Sequence, residues 1–296
     1  MNNNISPFTN RKTNRRLVTD RLFTGFLWLV TLAVMTIVFA ILFIILSKGL
    51  RHLSLHFLFG LPSEINAGGG IGPFLFNSFY ILILSMIISL PIGIGSGIYL
   101  AEYAPNNRLT EIIRTCIESL ASVPSIIYGL FGYVLFVNYF HIGLSVLGAA
   151  VSLSLLNLPV LTRVTEEAIQ TVPQNIREAS YSLGVTKSAT ILRVVLPAAL
   201  SGILTGISLV ACRAFGESAV ILIAGGTAAS DTMWDFHLLS QGANLPVHLW
   251  YVQSEALVPD AKQIADRSAA VLIIIILLIS VVIRIPAWIR AYRLRR

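Results

Sequence analysis

Residues 119–162 form a stretch of 44 positions without a single aspartate, glutamate, lysine or arginine. At about 1.5 Å per residue, one helix of that length would be twice as long as the ~30 Å hydrocarbon core of a bilayer. The stretch therefore predicts two membrane-spanning helices, separated at the polar break formed by His141 and Gly143. Only 12% of the whole chain is charged and 55% is hydrophobic, so a water-soluble globule is excluded.

Six apolar blocks are long enough to cross a membrane as helices. The first has 25 residues and no small-residue cleavage site, so we interpret it as an uncleaved span and not as a signal peptide. The blocks are 22–46, 74–100, 117–140, 142–161, 198–224 and 269–289. The sequence predicts an all-α polytopic membrane protein with six transmembrane helices, made of a basic tail (1–21) and a transmembrane domain (22–296).

The distribution of lysine and arginine predicts the orientation in the membrane, because cytoplasmic loops retain positive charge. With a cytoplasmic N-terminus, 16 of the 21 basic residues fall on the cytoplasmic side, four fall on the opposite side, and Arg213 lies inside a span. Both termini are therefore predicted to be cytoplasmic. Topology accounts for most of the formal charge of +7, so we expect lipid and not nucleic acid as the surroundings.

The sequence carries no motif typical of a metal site, of a catalytic triad or of an ATP-binding protein. Cys116 and Cys212 form no disulfide or zinc pattern, and His52 and His56 have no third ligand at a suitable spacing. We expect no metal and no cofactor. No serine, histidine and acid set suggests an enzyme, and no GxxxxGK[ST] loop is present, so energy for any transport must come from a partner or an ion gradient.

Small residues recur inside the spans. Gly93, Gly95 and Gly97 form a run that superficially resembles a dinucleotide fingerprint, but no strand precedes it. Gly202 and Gly206 have a GxxxG spacing. Such residues are typical of helices that pack closely in lipid.

The loop 163–197 carries the most information. A helix is predicted from Pro173 to Gly184, where glycine suits a left-handed C-cap, and a second one from Thr186 towards Pro197. The loop should then read as helix, bend, helix. An alternative is that it only packs on its own bundle.

Residues of the first loop helix also form a small apolar face. Ile176, Ala179 and Leu183 are spaced i, i+3 and i+7, on a segment that lipid does not cover. A face of this kind is typical of a surface that meets a protein partner.

Glu178, Ala179 and Ser180 are followed by Gly184 after three residues, and by a Leu196-Pro197 pair further on. This spacing resembles the EAA motif of ABC-type importer permeases, with Ser180 and Val194 as conservative departures. Other segments are similar to phosphate-specific permeases of the PstA type. They are 97–103, 124–126, 165–166 with Arg163, 213–217 and 243–247.

The resemblance implies a type I ABC importer permease fold (MetI-like) in the inner cell membrane. It also implies a homologous second permease, a dimer of ATPase subunits and an extracytoplasmic phosphate-binding protein as partners. The loop 163–197 would then be the ATPase-coupling loop. Its coupling residues would be Glu178, Ala179, Ser180, Gly184, Leu196 and Pro197.

Ionisable residues inside spans are costly and therefore mark candidate sites. We expect Arg213 to lie on the substrate pathway, with Glu217 one turn further along the same helix face as its electrostatic partner. The alternative is an internal ion pair that only fixes packing. Arg163 is a third pathway candidate, although at a helix end it can also extend towards water.

The sequence thus predicts a permease subunit that imports phosphate with ATP hydrolysed on a partner. Two alternatives stay open. The first is a secondary transporter driven by an ion gradient, in which the pair Arg213 and Glu217 would be a relay. The second is an ABC permease for another oxyanion, such as molybdate or sulfate, since one arginine suits many anions.

Overall fold

The computed structural model describes residues 8–51, 53–63, 67–230, 232–255 and 258–294. These residues form twelve α-helices and three short π-helical turns, and no strand occurs among them. The helices are α1 (Phe8–Leu50), α2 (Leu55–Phe59), α3 (Gly72–Ile98), α4 (Arg108–Ala121), α5 (Ser125–Gly132), α6 (Val146–Gln170), α7 (Gln174–Ser182), α8 (Lys187–Thr190), α9 (Leu196–Phe215), α10 (Ala219–Gly225), α11 (Leu245–Ser254) and α12 (Ala261–Leu294). The π-helical turns are Tyr99–Tyr103, Tyr133–Tyr139 and Ile191–Val195. His52, Arg295 and Arg296 lie outside the described residues, as do the first seven residues of the basic tail.

The predicted all-α membrane fold is confirmed. Five described segments are long and apolar enough to cross a bilayer, and a bent helix pair supplies a sixth crossing when its two arms are counted as one span. The five are Thr19–Leu50, Gly72–Tyr103, Val146–Gln170, Lys187–Phe215 and Ala261–Ile289. The predicted division of the 44-residue stretch is also confirmed, since His141 and Gly143 both have positive φ angles, 55° and 87°, which end the helical path.

The predicted span over 117–140 is not a single helix. The chain forms α4 and α5 instead, which meet at an angle of 91°. Pro124 lies at the break as the N-cap of α5. Proline has no N–H to donate and disfavours helical geometry in the residue before it, so the helix of Ser119 and Leu120 cannot run on through Val123.

The predicted span 198–224 is likewise divided. α9 ends at Phe215, and α10 begins only at Ala219. Gly216 follows as the C-cap of α9. Glycine destabilises the interior of a helix, so a helix commonly ends where glycine occurs. The helical path is thus interrupted between α9 and α10, at the place where the sequence puts Arg213 and Glu217.

Helix α6 is the centre of the bundle and packs against α3, α4, α5, α9 and α10. Glycines allow its closest approaches. A Cβ on Gly97 would lie 2.6 Å from Cβ of Thr165, and one on Gly206 would overlap Val164. The prediction of close helix packing is confirmed for Gly93, Gly97, Gly202 and Gly206, all against α6. It is not confirmed for Gly95, since a Cβ there would meet no described residue within 4 Å.

The long helices run in alternating directions. Ser208 of α9 donates to the Ser280 carbonyl oxygen of α12, and Cys212 lies against Ile276, so α9 and α12 are antiparallel. A Cβ on Gly49, near the end of α1, would overlap Ala270, near the start of α12. The start of α1 and the end of α12 therefore lie at the same end of the bundle as α7 and α8. We call this the loop end.

Candidate functional site

Arg213 lies on an outward face of α9. Its exposed neighbours on that face are Ser201, Thr205 and Leu209, each four residues from the next. Arg213 interacts electrostatically with Tyr128 of α5, and it forms no salt bridge with any described residue. A guanidinium in that setting has its donors available for another group, because lipid alone cannot satisfy them.

The expected pairing of Arg213 with Glu217 is wrong in this structure. Because α9 ends at Phe215, Glu217 does not continue the face of Arg213. Its carboxylate instead accepts hydrogen bonds from the Ala219 and Val220 N–H groups, at 3.1 and 3.4 Å, and so caps the start of α10. An i, i+4 spacing places two side chains on one face only within a continuous helix, and the break at Gly216 removes that continuity.

Glu217 also contacts the N-cap residue of α11, at the end of the bundle opposite the loop end. The side chain of Asn244 donates to the Glu217 carbonyl oxygen at 2.8 Å and caps α11 by accepting from the Val247 N–H. This explains structurally why two segments singled out in the sequence, 213–217 and 243–247, belong together. A hydrogen bond thus joins the segment at the end of α9 to the segment at the start of α11.

Arg163 lies on α6, closer to the loop end than Arg213. Its guanidinium is paired with Glu118 of α4 and with Glu167 one turn further along α6. Val164 faces Gly206 across the α6–α9 contact, which puts Arg163 about 9 Å nearer the loop end than Arg213 at 1.5 Å per residue. The structure thus holds the two arginines at different depths and in different surroundings.

Sequence reasoning missed a second ion pair beside Arg163. Arg114 of α4 donates to Glu166 at 2.7 Å and to the Leu100 carbonyl oxygen at 3.0 Å. α4 therefore directs its charges towards α6 and leaves its apolar residues Leu109 and Ile112 exposed. The sequence does contain a pattern that predicts this orientation of α4, because the apolar residues of 109–120 recur with helical spacing opposite these charges.

Helix α7 begins after Pro173 and ends in a left-handed Gly184 with a φ of 76°. The Gly184 N–H donates to Tyr181 and the Val185 N–H to Ser180, which is the bonding pattern of a Schellman cap. The predicted helix and glycine bend are confirmed. The apolar face is exposed as well, with Ile176 at 37% and Leu183 at 84%.

The remaining residues of the EAA-like segment fall into two groups. Glu178 and Ala179 are exposed, whereas Ser180 is buried and shares a 2.8 Å hydrogen bond with Thr190 of α8. Leu196 and Pro197 lie in the first turn of α9. The second predicted helix begins at Lys187 after Thr186, and it continues through the π-helical turn Ile191–Val195 into α9, so that Lys187–Phe215 is one helical segment.

The contacts of Arg177 in α7 are ones that the sequence does not predict. Its guanidinium is buried and binds Glu102, beyond the end of α3, through two nitrogens at 2.7 and 3.0 Å. It also donates to the carbonyl oxygens of Ile169 and Val172 at the end of α6. Glu102 is 75 positions away, so no local pattern could have identified the pair.

At the end of the bundle opposite α7, a cavity of about 350 Å³ is lined by His248, Phe74, Tyr251 and the backbone of Gly69 and Gly70. The rings of His248 and Phe74 stack with their centroids 3.9 Å apart. Nδ1 of His248 is buried without a hydrogen-bond partner among the described residues. Burial lowers the pKa of His248 from 6.5 to about 4, so the ring is neutral at physiological pH.

Comparison with known proteins assigns these features to a family. Residues 93–294 match the family described as "Binding-protein-dependent transport system inner membrane component". The chain is 41% identical over 279 residues to the "Probable ABC transporter permease protein YqgI" of Bacillus subtilis (strain 168), covering 91% of this chain and 95% of that protein. It is 37% identical over 211 residues to the "Phosphate transport system permease protein PstA" of Yersinia pestis, covering 71% and 70%.

A solved structure of the inward-facing MetNI methionine ABC transporter has the same fold. The match has a TM-score of 0.56 at 21% identity and covers 75% of this chain and 94% of that chain. The predicted MetI-like architecture of a type I importer permease is thereby confirmed. With its family match over residues 93–294 and a bundle of this architecture, the chain belongs to the inner membrane components of binding-protein-dependent ABC importers.

Proposed function

We propose that this subunit imports inorganic phosphate, with ATP hydrolysed on separate subunits that dock against α7. The observation that carries the proposal is Arg213, an arginine on the outward face of a membrane helix with no ion-pair partner among the described residues. The similarity to the phosphate permease of Yersinia pestis supports phosphate as the anion. Membership in an ABC family speaks against an ion gradient as the energy source.

Phosphate needs a cation in order to pass through a membrane protein. It carries between one and two negative charges near neutral pH, and the loss of its hydration in a medium of low dielectric constant is prohibitive without a compensating charge. Guanidinium stays charged at all physiological pH values and offers paired donors to two oxygens. Arg213 meets both requirements. Arg163 is a second candidate nearer the loop end, where the anion would have to replace Glu118 or Glu167 as the partner of its guanidinium.

The outward face of α9 implies a second permease subunit. An exposed arginine facing acyl chains would cost several kcal/mol, about 3 kcal/mol even on the mildest insertion scale. Ser201 and Thr205 continue the same polar face. We infer that a homologous permease covers it, so that the phosphate pathway runs between the two subunits.

The loop end would be cytoplasmic. Both the start of α1 and the end of α12 lie there, together with most of the lysine and arginine residues, as the positive-inside rule requires. Ile176, Leu183 and Glu178 on the exposed side of α7 would contact the ATPase subunit. The opposite end, with its cavity beside His248, would receive phosphate from an extracytoplasmic binding protein.

The test is reconstitution of the complete transporter in lipid vesicles, with ATP-dependent uptake of phosphate as the readout and with sulfate and molybdate as competing anions. Arg213→Met should reduce phosphate uptake at least about 30-fold, the equivalent of a lost charge-assisted contact of about 2 kcal/mol, with the complex still assembled. Arg108→Met is the matched control, because Arg108 is exposed at the start of α4, outside α9 and outside the loop 163–197.

Two results would contradict the proposal. Uptake of sulfate or molybdate in preference to phosphate would identify an importer of another oxyanion. Normal phosphate uptake by Arg213→Met would remove Arg213 from the pathway and leave it a residue of the subunit interface.

A further inference from the structure

The π-helical turn Tyr99–Tyr103 at the end of α3 is held by side chains from three other helices. Arg114 of α4 donates to the Leu100 carbonyl oxygen, and Arg177 of α7 binds Glu102. From α8, Lys187 lies 4.8 Å above the ring of Tyr103 and Ser188 lies 3.3 Å from its hydroxyl oxygen. π-helical turns within membrane helices are frequent at functional positions, and here the turn joins α3 to the whole loop end.

The link between Arg177 and Glu102 is the strongest of these contacts. The two side chains are only 10% and 7% exposed, and both donor distances to Glu102 are 3.0 Å or less. Buried ion pairs of this kind have little freedom to change partner, because separation would leave an uncompensated charge in the interior. A displacement of Arg177 must therefore displace Glu102 or break the pair.

Arg177 also fixes the end of α6. Its donors reach the carbonyl oxygens of Val172 at 2.6 Å and Ile169 at 3.0 Å, where a positive charge is favoured by the helix dipole. On α7 itself, Arg177 lies between Ile176 and Glu178, which are exposed. The same turn of α7 thus exposes Ile176 and Glu178 for docking and holds the buried Arg177 through its ion pair with Glu102.

We propose that the Arg177–Glu102 pair transmits movement of α7 to α3, which makes Arg177 a positioning residue for transport. The inference rests on the proposed function, in which α7 docks on the ATPase subunit. When the ATPase moves α7, Arg177 carries the turn Tyr99–Tyr103 with it, and α3 shifts against α6 along the glycine contacts at Gly93 and Gly97. Arg177 touches neither phosphate nor ATP.

The experiment measures phosphate uptake and ATP hydrolysis in the same vesicles containing the complete transporter. Glu102→Gln removes the charge but keeps the size of the side chain, and Arg177→Lys keeps the charge but not the fork that reaches three acceptors at once. In both variants ATP hydrolysis should continue, while phosphate transported per ATP falls about tenfold or more, a typical size for coupling between sites. Glu111→Gln is the matched control, since Glu111 is exposed on α4 and outside these contacts.

The outcomes separate the two proposals. A wild-type complex that takes up no phosphate would sink the proposed function itself. A working wild-type complex with an unchanged ratio of phosphate to ATP in both variants would overturn the inference alone. If neither variant assembles, Glu102→Met combined with Arg177→Met removes both charges together. Normal coupling in that double variant, or its failure to assemble, would assign the pair to folding and would also overturn the inference, whereas assembly without coupling would support it.

Discussion

The ionisable side chains of this protein differ mainly in what surrounds them. Arg177 is buried and bonded to a carboxylate and two carbonyl oxygens, whereas Arg213 is exposed on a membrane helix. His248 is buried without a partner for Nδ1. The first arrangement fixes a position, the second leaves donors free for an anion or a partner, and the third suppresses a charge.

The lowered pKa of His248 leads to a prediction about how the stability of the protein depends on pH. The unfolded chain binds a proton at this histidine near pH 6.5, but the folded protein does so only near pH 4. We expect no contribution of His248 to the pH dependence above pH 6.5. As the pH falls from 6.5 to about 4, the unfolded state alone gains the proton, so the free energy of unfolding should decrease by about 3 kcal/mol in total.

The measurement compares unfolding of the wild type and of His248→Phe in detergent over that pH range. Phenylalanine keeps the ring stacked on Phe74 and removes the titrating group. The carboxylates titrate in both proteins, so only the difference between the two profiles reports on His248. Parallel profiles would show that the ring is protonated in the folded state as readily as in water.

At the scale of elements, interruptions of helices carry as much information as the helices themselves. α4 and α5 part at Pro124, α9 and α10 part at Gly216, and α7 ends at Gly184. Two of these interruptions decide how neighbouring residues are placed. The break at Gly216 separates Glu217 from Arg213, and the bend at Gly184 sets the angle between α7 and the segment that leads into α9.

The bend at Gly184 gives a prediction with a matched control. A Cβ at Gly184 would meet nothing within 4 Å, but φ is 76°, so a substitution is limited by backbone conformation and not by space. Gly184→Val should destabilise the bend by about 1 to 2 kcal/mol and lower phosphate transported per ATP. Gly184→Asn should stay close to the wild type, because asparagine tolerates left-handed geometry. Equal coupling in the two variants would refute a role for the bend.

On the scale of the whole molecule, burial is distributed unevenly over the long helices. α6 is the most buried of the apolar segments, whereas the most apolar part of α1 has no buried residue among those described. The face of α9 that bears Ser201, Thr205 and Arg213 is also exposed. Apolar faces suit lipid, but a polar face within the membrane requires a protein neighbour.

The polar face of α9 predicts where the second permease binds. In a variant without native cysteines, Thr205→Cys should form a cross-link to a cysteine scanned along the partner permease. Ile83→Cys, which is equally exposed but lies on an apolar face of α3, should form none. Cross-links from position 83 and none from position 205 would place the partner on another side of the bundle.

Much of the fold was predictable because a membrane helix can be recognised from its own apolar segment of the sequence. The positions of the spans, the bend at Gly184 and the close packing at Gly97 and Gly206 follow from apolar length, glycine geometry and small-residue spacing. The bend within 117–140 and the break that separates Glu217 from the helix face of Arg213 did not follow from the sequence, since composition alone does not tell where a hydrophobic helix bends.

The sequence by itself determined that this protein spans a membrane with several helices, and that an exposed helix bearing Glu178, followed by a bend at Gly184, lies between two spans. These properties depend on neighbours a few residues apart, which hydrophobicity and backbone conformation control directly. Only the tertiary structure decided that Arg177 binds Glu102, that Arg163 binds Glu118 and that Glu217 caps α10. Such pairings join distant segments or depend on a helix break, and they are settled by which helices pack together, since a charged side chain can pair only with the partners that this packing brings within reach.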